Sequence, residues 1–187
     1  MDGQMKKFAA ILTTVLLVSG SLIAQTFNDA SQWKAFDDAA KGGTSKITKT
    51  ESMETIDGKE ALAITITGAV TTKYQYGFIG VAADPSPETL TFMKTAKGIT
   101  FKTVGDGHQY RVKIETSDIA DFDMYGKTFT APKDKAGTVT VPYSALAQEG
   151  WGAKKKFDPA KITKISFQTV GQPVSSVSVK IIGLESY

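Results

Sequence analysis

Residues 97–118 read KGITFKTVGDGHQYRVKIETSD, two alternating runs on either side of one tight turn. Ile99, Phe101 and Thr103 mark the first run, and Tyr110, Val112, Ile114 and Thr116 mark the second. A period of two puts the apolar residues of each run on one face, as in a half-buried strand. The connecting Gly105-Asp106-Gly107 predicts a hairpin, because glycine accepts the positive φ that a tight turn requires. The opposite face of the second run carries Gln109, Arg111, Lys113 and Glu115. That row is either a grip for a polar ligand or the wet face that most antiparallel sheets have.

The same signals recur outward from this stretch. Upstream, residues 45–54 form a strand that the Ile56-Asp57-Gly58-Lys59 turn joins to a second at 61–68, where Leu62, Ile64 and Ile66 share a face. Residues 71–81, TTKYQYGFIGV, predict a further strand, and either its Tyr74/Tyr76/Phe78 face or its Gln75/Gly77/Ile79/Val81 face can be the core side. Pro85 and Pro87 make 84–87 a loop, since proline cannot donate to a ladder. Residues 88–95 follow as a short helical or irregular turn. Downstream, strands are expected at 124–130, 137–141, 162–170 and 174–184. Before all of these, Phe27, Trp33 and Phe36 are core or edge anchors, while Asn28, Asp29, Asp37 and Asp38 with Gly42 and Gly43 form loop. About nine short strands, turn signals roughly every ten residues and no long amphipathic helix predict an all-β sandwich or jelly roll.

The 187 residues, 41% hydrophobic and 22% charged, suit one globular domain with its own core. A formal charge of +3 is too small and too scattered for a nucleic-acid partner, and Lys154-Lys155-Lys156 is a solvated loop. The absence of cysteine excludes disulfides, thiolate chemistry, iron–sulfur clusters and Cys-ligated zinc. At the N-terminus, Lys6 and Lys7 precede an apolar run from Phe8 to Val18 and the small-residue end Ser19 to Ala24. This is the pattern of a secretory signal peptide over residues 1–24, cut after Ala24 with Ser21 as the alternative, and Met5 is an alternative start. The run is too short to span a bilayer. The expectation is therefore an exported protein, periplasmic or secreted, near neutral once Lys6 and Lys7 are removed. It has one domain over residues 25–187, no lipid anchor and no membrane span after cleavage.

Catalytic signatures are sparse. The single histidine, His108, has no companion for a transition-metal site and no Gly-x-Ser-x-Gly elbow to serve, so it is structural or incidental. Phosphate-loop, dinucleotide and EF-hand patterns are absent from the sequence. Paired carboxylates for glycoside hydrolysis stay open, because their separation in space is not legible here. The residues point instead to binding. Flat rings stack on the apolar faces of sugars, and planar polar groups pair with hydroxyls. The ligand-binding candidates are Tyr74, Tyr76, Arg111, Tyr125 and Trp151, with Asp106, Lys113 and Glu115 as polar partners. Tyr74 and Tyr76 are equally placed to be core, and Trp151 is either a functional loop ring or an ordinary one.

Five segments in order resemble family 11 carbohydrate-binding modules: TFNDASQWKAFDDAAKGGTS, YQYGFIGV, KGITFKTVGDGHQYRVKIET, GTVTVPYSAL, and WGAKKKFDPAKITKISFQTVG with VSVKIIGLE. The complex I intermediate-associated protein 30 domain shares that profile, and the match covers roughly Phe27 to Glu185. The resemblance implies a galactose-binding-like β-sandwich (jelly roll) that binds β-glucan polysaccharide in a groove of tyrosines, acidic residues and arginine. It also implies association with glycoside hydrolases and a structural calcium, placed here near Asp29 and Glu185. Where the family tends to carry an acidic residue in its last strand, this chain reads Lys180-Ile181-Ile182-Gly183, and Glu185 is a poor substitute. The resulting expectation is a non-catalytic carbohydrate-binding protein. The alternative is a cell-envelope structural or assembly factor that binds protein with the same sandwich.

Overall fold

The computed structural model describes residues 27–171 and 173–187, so the leader expected at 1–24 lies outside the described residues. Among the described residues, ten strands are divided between two five-stranded antiparallel sheets. They are β1 (Trp33–Asp37), β2 (Lys46–Ile56), β3 (Lys59–Ala69), β4 (Ile79–Ala83), β5 (Gly98–Gly105), β6 (Gln109–Thr116), β7 (Tyr125–Thr130), β8 (Gly137–Pro142), β9 (Ile162–Thr169) and β10 (Val177–Ser186). The first sheet runs β1-β4-β9-β6-β7 and the second β2-β3-β10-β5-β8. Helix α1 (Pro87–Thr95) carries the chain from one sheet to the other. It starts where the sequence provides a cap: the Ser86 hydroxyl accepts the Thr89 N–H, Pro87 opens the helix and Glu88 stands in its first turn.

The core lies between the sheets and is made by the predicted alternation. Ile99, Phe101 and Thr103 of β5 face Tyr110, Val112 and Ile114 of β6, all 2% exposed or less. Aromatic edges lock the layers together, with Phe101 meeting both Phe129 and Phe167 at 5.1 Å in T-shaped pairs, and within the first sheet Trp33 stacks on Phe167 at 6.0 Å. Phe27 and Trp33 are core residues, as the sequence suggests. Each large side chain so buried contributes about 1.5–3 kcal/mol.

The 97–118 stretch corrects one expectation. Its two runs are strands, but they are not a hairpin: β5 pairs with β8 and β10, whereas β6 pairs with β7 and β9. Gly105-Asp106-Gly107 is an arch from one sheet to the other, bridging layers roughly 10 Å apart. Its donors go elsewhere than to its own strands, with Gly105 N–H to Pro132 O and Gly107 N–H to Ala131 O, both 2.8 Å. Asp106 fastens the arch by accepting from the Ser178 N–H (2.8 Å), the Tyr110 hydroxyl (2.7 Å) and the His108 N–H (2.9 Å). An Asp-Gly turn specifies a reversal of direction and says nothing of which strand lies alongside. The Asp57-Gly58 turn does close a true hairpin: Asp57 and Gly58 have φ of 52° and 78°, and β2 and β3 pair in register from Ile56↔Lys59 onward.

The arch makes stability acid-sensitive. Burial alone would raise the Asp106 carboxyl, but the Ser178, Tyr110 and His108 hydrogen bonds outweigh it and hold it below the ordinary 3.8. A lowered carboxyl contributes stability above its unfolded value and loses it as pH falls through the folded one. Asp106→Asn should therefore cost about 1 kcal/mol at pH 7. Urea titrations should show the gap to wild type closing below about pH 4.

Candidate functional site

The outward face of the first sheet is polar along β9 and β6, where Lys164, Ser166 and Gln168 lie beside Arg111, Lys113 and Glu115. In register across the strands, one row runs Phe36–Gly80–Gln168–Arg111–Thr128 and the next Lys34–Ala82–Ser166–Lys113–Gly126. Small residues line its middle, which lets large side chains lie flat on it. A Cβ at Gly80 would stand 2.5 Å from the Phe36 ring and 3.0 Å from Gln168 Cβ, so only glycine lets that ring cross the strand. Phe78 packs on Phe36 at 5.9 Å. At the far end of the face Asp84 is shared by Lys34 (2.9 Å) and Lys164 (2.8 Å), and these two ammonium groups hold its carboxyl below the usual range.

Arg111, Lys113 and Glu115 fall on this face, as the alternation predicts. Arg111 is engaged by the loop after β8: it donates to Ala147 O at 2.7 Å and pairs with Glu149 at 3.1 Å. Lys113 is half-buried between Arg111 and the carboxylates of Glu149, Asp123 and Glu115. Burial pulls its ammonium below the ordinary 10.5, Arg111 adds to that, and the carboxylates oppose it. A half-buried ammonium with three donors can hydrogen-bond a hydroxyl-rich ligand.

Two loop systems flank the face, and each is pinned by a buried carboxylate. On the β1 side, Asp38 is fully buried and accepts from Ser45 N–H (3.0 Å) and Ser45 hydroxyl (2.6 Å). The Ser45 hydroxyl in turn accepts the Thr71 N–H, which ties the loop after β1 to the one before β4. That second loop corrects the strand expected at 71–81. Only Ile79–Ala83 is strand, because Gly77 packs against Thr71 O and Asp38 where a Cβ would collide. Tyr74 and Tyr76 stand on this loop in an edge-to-face pair at 5.9 Å, and Tyr76 is 68% exposed.

On the β7 side, Asp123 is 1% exposed and accepts three backbone N–H groups, from Glu149 (2.8 Å), Gly150 (3.0 Å) and Gly152 (3.0 Å). Asp121 accepts from Ala153, and Gln148 closes the loop by donating to Asp123 O and Ala153 O. Trp151 projects from this clamp, 60% exposed. Sequence reasoning found the ring but missed the clamp. Asp-x-Asp at 121–123 was its only trace, and loop carboxylates have many ordinary explanations.

Two candidates lie elsewhere. Tyr125 is 3% exposed, set edge-on against Phe157 at 5.0 Å, so it is a core residue rather than a groove residue. It sits one residue out of phase with the outward row, pairing with Ile114 instead of Lys113. Asp106 belongs to the arch. The calcium expectation gains no donor set: Asp29 caps a turn through Ser31, and among the described residues no three of His, Asp and Glu converge. A calcium ion requires about six to eight oxygen ligands, and Asp29 and Glu185 bring no cluster of three carboxylates to it among the described residues.

Two antiparallel five-stranded sheets packed face to face, with pinned loops flanking the outward face of the first, define an all-β sandwich. The chain matches the Complex I intermediate-associated protein 30 (CIA30) family over residues 24–181 and belongs to that family. Its fold is similar to the family 11 carbohydrate-binding module of the cellulosomal cellulase Lic26A-Cel5E of Clostridium thermocellum, with a TM-score of 0.59, 13% identity, and 87% of this chain and 93% of that one covered. It is also similar to an exo-beta-agarase, with a TM-score of 0.52, 13% identity, and 84% of this chain but 24% of the agarase covered. In sequence it is 36% identical over 74 residues to Endoglucanase 3 of Fibrobacter succinogenes. That match spans 40% of this chain and 11% of the endoglucanase. Among the described residues no helix is long and apolar enough to cross a membrane.

Proposed function

We propose that the protein is an exported, non-catalytic carbohydrate-binding protein that holds a β-glucan-type chain across the outward face of the first sheet. The observation that carries this reading is the placement of Tyr76 and Trp151. Both are exposed rings on loops pinned by buried carboxylates, one loop on each side of a face lined by Arg111, Lys113 and Gln168. Stacking rings at the margins and hydrogen-bonding groups on a rigid floor are what a polyhydroxylated chain requires. The module and endoglucanase similarities support the same class of ligand. The leader pattern at residues 1–24 supports export, to the periplasm or beyond.

Affinity electrophoresis against barley β-glucan, cellulose and xylan tests the reading. Wild type should be retarded on β-glucan. Trp151→Ala should lose about tenfold in affinity, with its melting temperature within a degree or two of wild type because the ring is exposed. No retardation on any polysaccharide, together with a stably co-purifying envelope protein, would establish the assembly-factor alternative instead.

A further inference from the structure

Phe122 is out of place twice over. Its ring is 69% exposed, and its backbone adopts φ of 66°, the left-handed region that bulky residues avoid. Both neighbours explain how this is enforced. Asp121 and Asp123 are each tied to the 149–153 segment, so the residue between them cannot relax without releasing the clamp. Trp151 is presented by the same device, lying between Gly150 and Gly152, whose N–H groups both reach Asp123 Oδ2. One clamp thus projects two large rings into water. Backbone strain of this kind gathers at ligand sites, where the surrounding structure imposes it.

A third residue connects the two sides of the face. Lys41 follows β1 and Phe122 precedes β7, the opposite edge strands of the sheet, yet Lys41 Nζ stands 5.7 Å from the centre of the Phe122 ring. The two loops therefore approach one another, and a cation already occupies one face of the ring.

We infer that Phe122 is a ligand-stacking residue of this site, paired with Trp151 on the Asp121/Asp123 clamp. The C–H face of a pyranose ring takes the place over Phe122 that Lys41 holds in the free protein. This assignment rests on the carbohydrate reading of the site and adds a specificity-determining ring to it.

Three variants test it by affinity electrophoresis on barley β-glucan, with melting curves alongside. Phe122→Asn removes the ring while suiting the left-handed backbone, so it should melt at or above the wild-type temperature and bind about tenfold more weakly. Phe122→Leu should be weakened similarly, because it keeps an apolar side chain without a flat face. Phe122→Tyr should bind within about twofold of wild type, since the stacking surface is retained. If Asn and Leu bind like wild type while Trp151→Ala is weakened, the inference is overturned and the carbohydrate reading stands. A melting temperature well below wild type for Phe122→Asn would also overturn it, marking the ring as structural. If wild type itself is not retarded, the carbohydrate reading fails and this assignment falls with it.

Discussion

Asp123→Ala should abolish retardation on β-glucan and lower stability by about 3 kcal/mol, the larger effect of any single change near the site. The carboxylate is 1% exposed and is the acceptor for three backbone N–H groups of the Trp151 loop. Alanine leaves all three without a partner. Each buried donor so abandoned costs about 1–3 kcal/mol, and the loop can offset part of this by opening to water. Opening is what removes function, because the clamp is what places Trp151 and Phe122. Asp123→Asn should fall between. Its amide oxygen can still accept the Glu149 N–H, but its NH₂ group faces the Gly150 and Gly152 donors that Oδ2 now serves. Urea unfolding with affinity electrophoresis separates the two consequences. A destabilised variant that still bound as wild type would show that the clamp does not position the rings.

Phe167→Ala should be the most destabilising core change, by about 3–5 kcal/mol. The residue is 1% exposed at the centre of β9 and touches rings from three directions: Trp33 at 6.0 Å, Phe101 at 5.1 Å and Phe129 at 6.2 Å. Phe101 belongs to the opposite sheet, so the cavity opens in the joint between layers, where relaxation would have to move a whole sheet. For a domain of this size the loss corresponds to a melting temperature lower by about 10 °C. Phe167→Leu refills part of the space and should cost less than half as much. Scanning calorimetry checks both. The outward neighbours Ser166 and Gln168 share the strand with Phe167, so binding measured well below the melting temperature should persist in the leucine variant.

Much of the architecture was legible because burial in a sandwich is written in a period of two. Ile99/Phe101/Thr103, Tyr110/Val112/Ile114 and Leu62/Ile64/Ile66 are inward in the fold as in the pattern. The Asp57-Gly58 turn, read as joining two strands, closes a hairpin, while Asp106-Gly107, with the same chemistry and read as a hairpin, does not. The difference lies outside the turn. Ser178, Ala131 and Pro132 take up the hydrogen bonds of the 105–107 arch, and all three are distant in sequence. Tyr125 shows the same limit from the other side: an aromatic at a strand start looks alike whether it faces in or out, and register against Ile114 decides.

The candidate site divides along that line. Arg111, Lys113 and Glu115 were readable as one row, since alternation alone puts them opposite Val112 and Ile114. Phe36, Gln168 and Phe122 were not, because nothing local marks a residue whose importance comes from a neighbour two strands or one sheet-width away. The sequence by itself determined most of the strands, the inward faces of β3, β5 and β6 and the polar row on β6, because those follow from short-range periodicity and side-chain solvation. The tertiary structure alone decided which strands lie together, that 97–118 bridges two sheets, and that Asp38 and Asp123 pin loops around one face. Those outcomes depend on hydrogen bonds and ring contacts between residues far apart along the chain, whose partners no local pattern specifies.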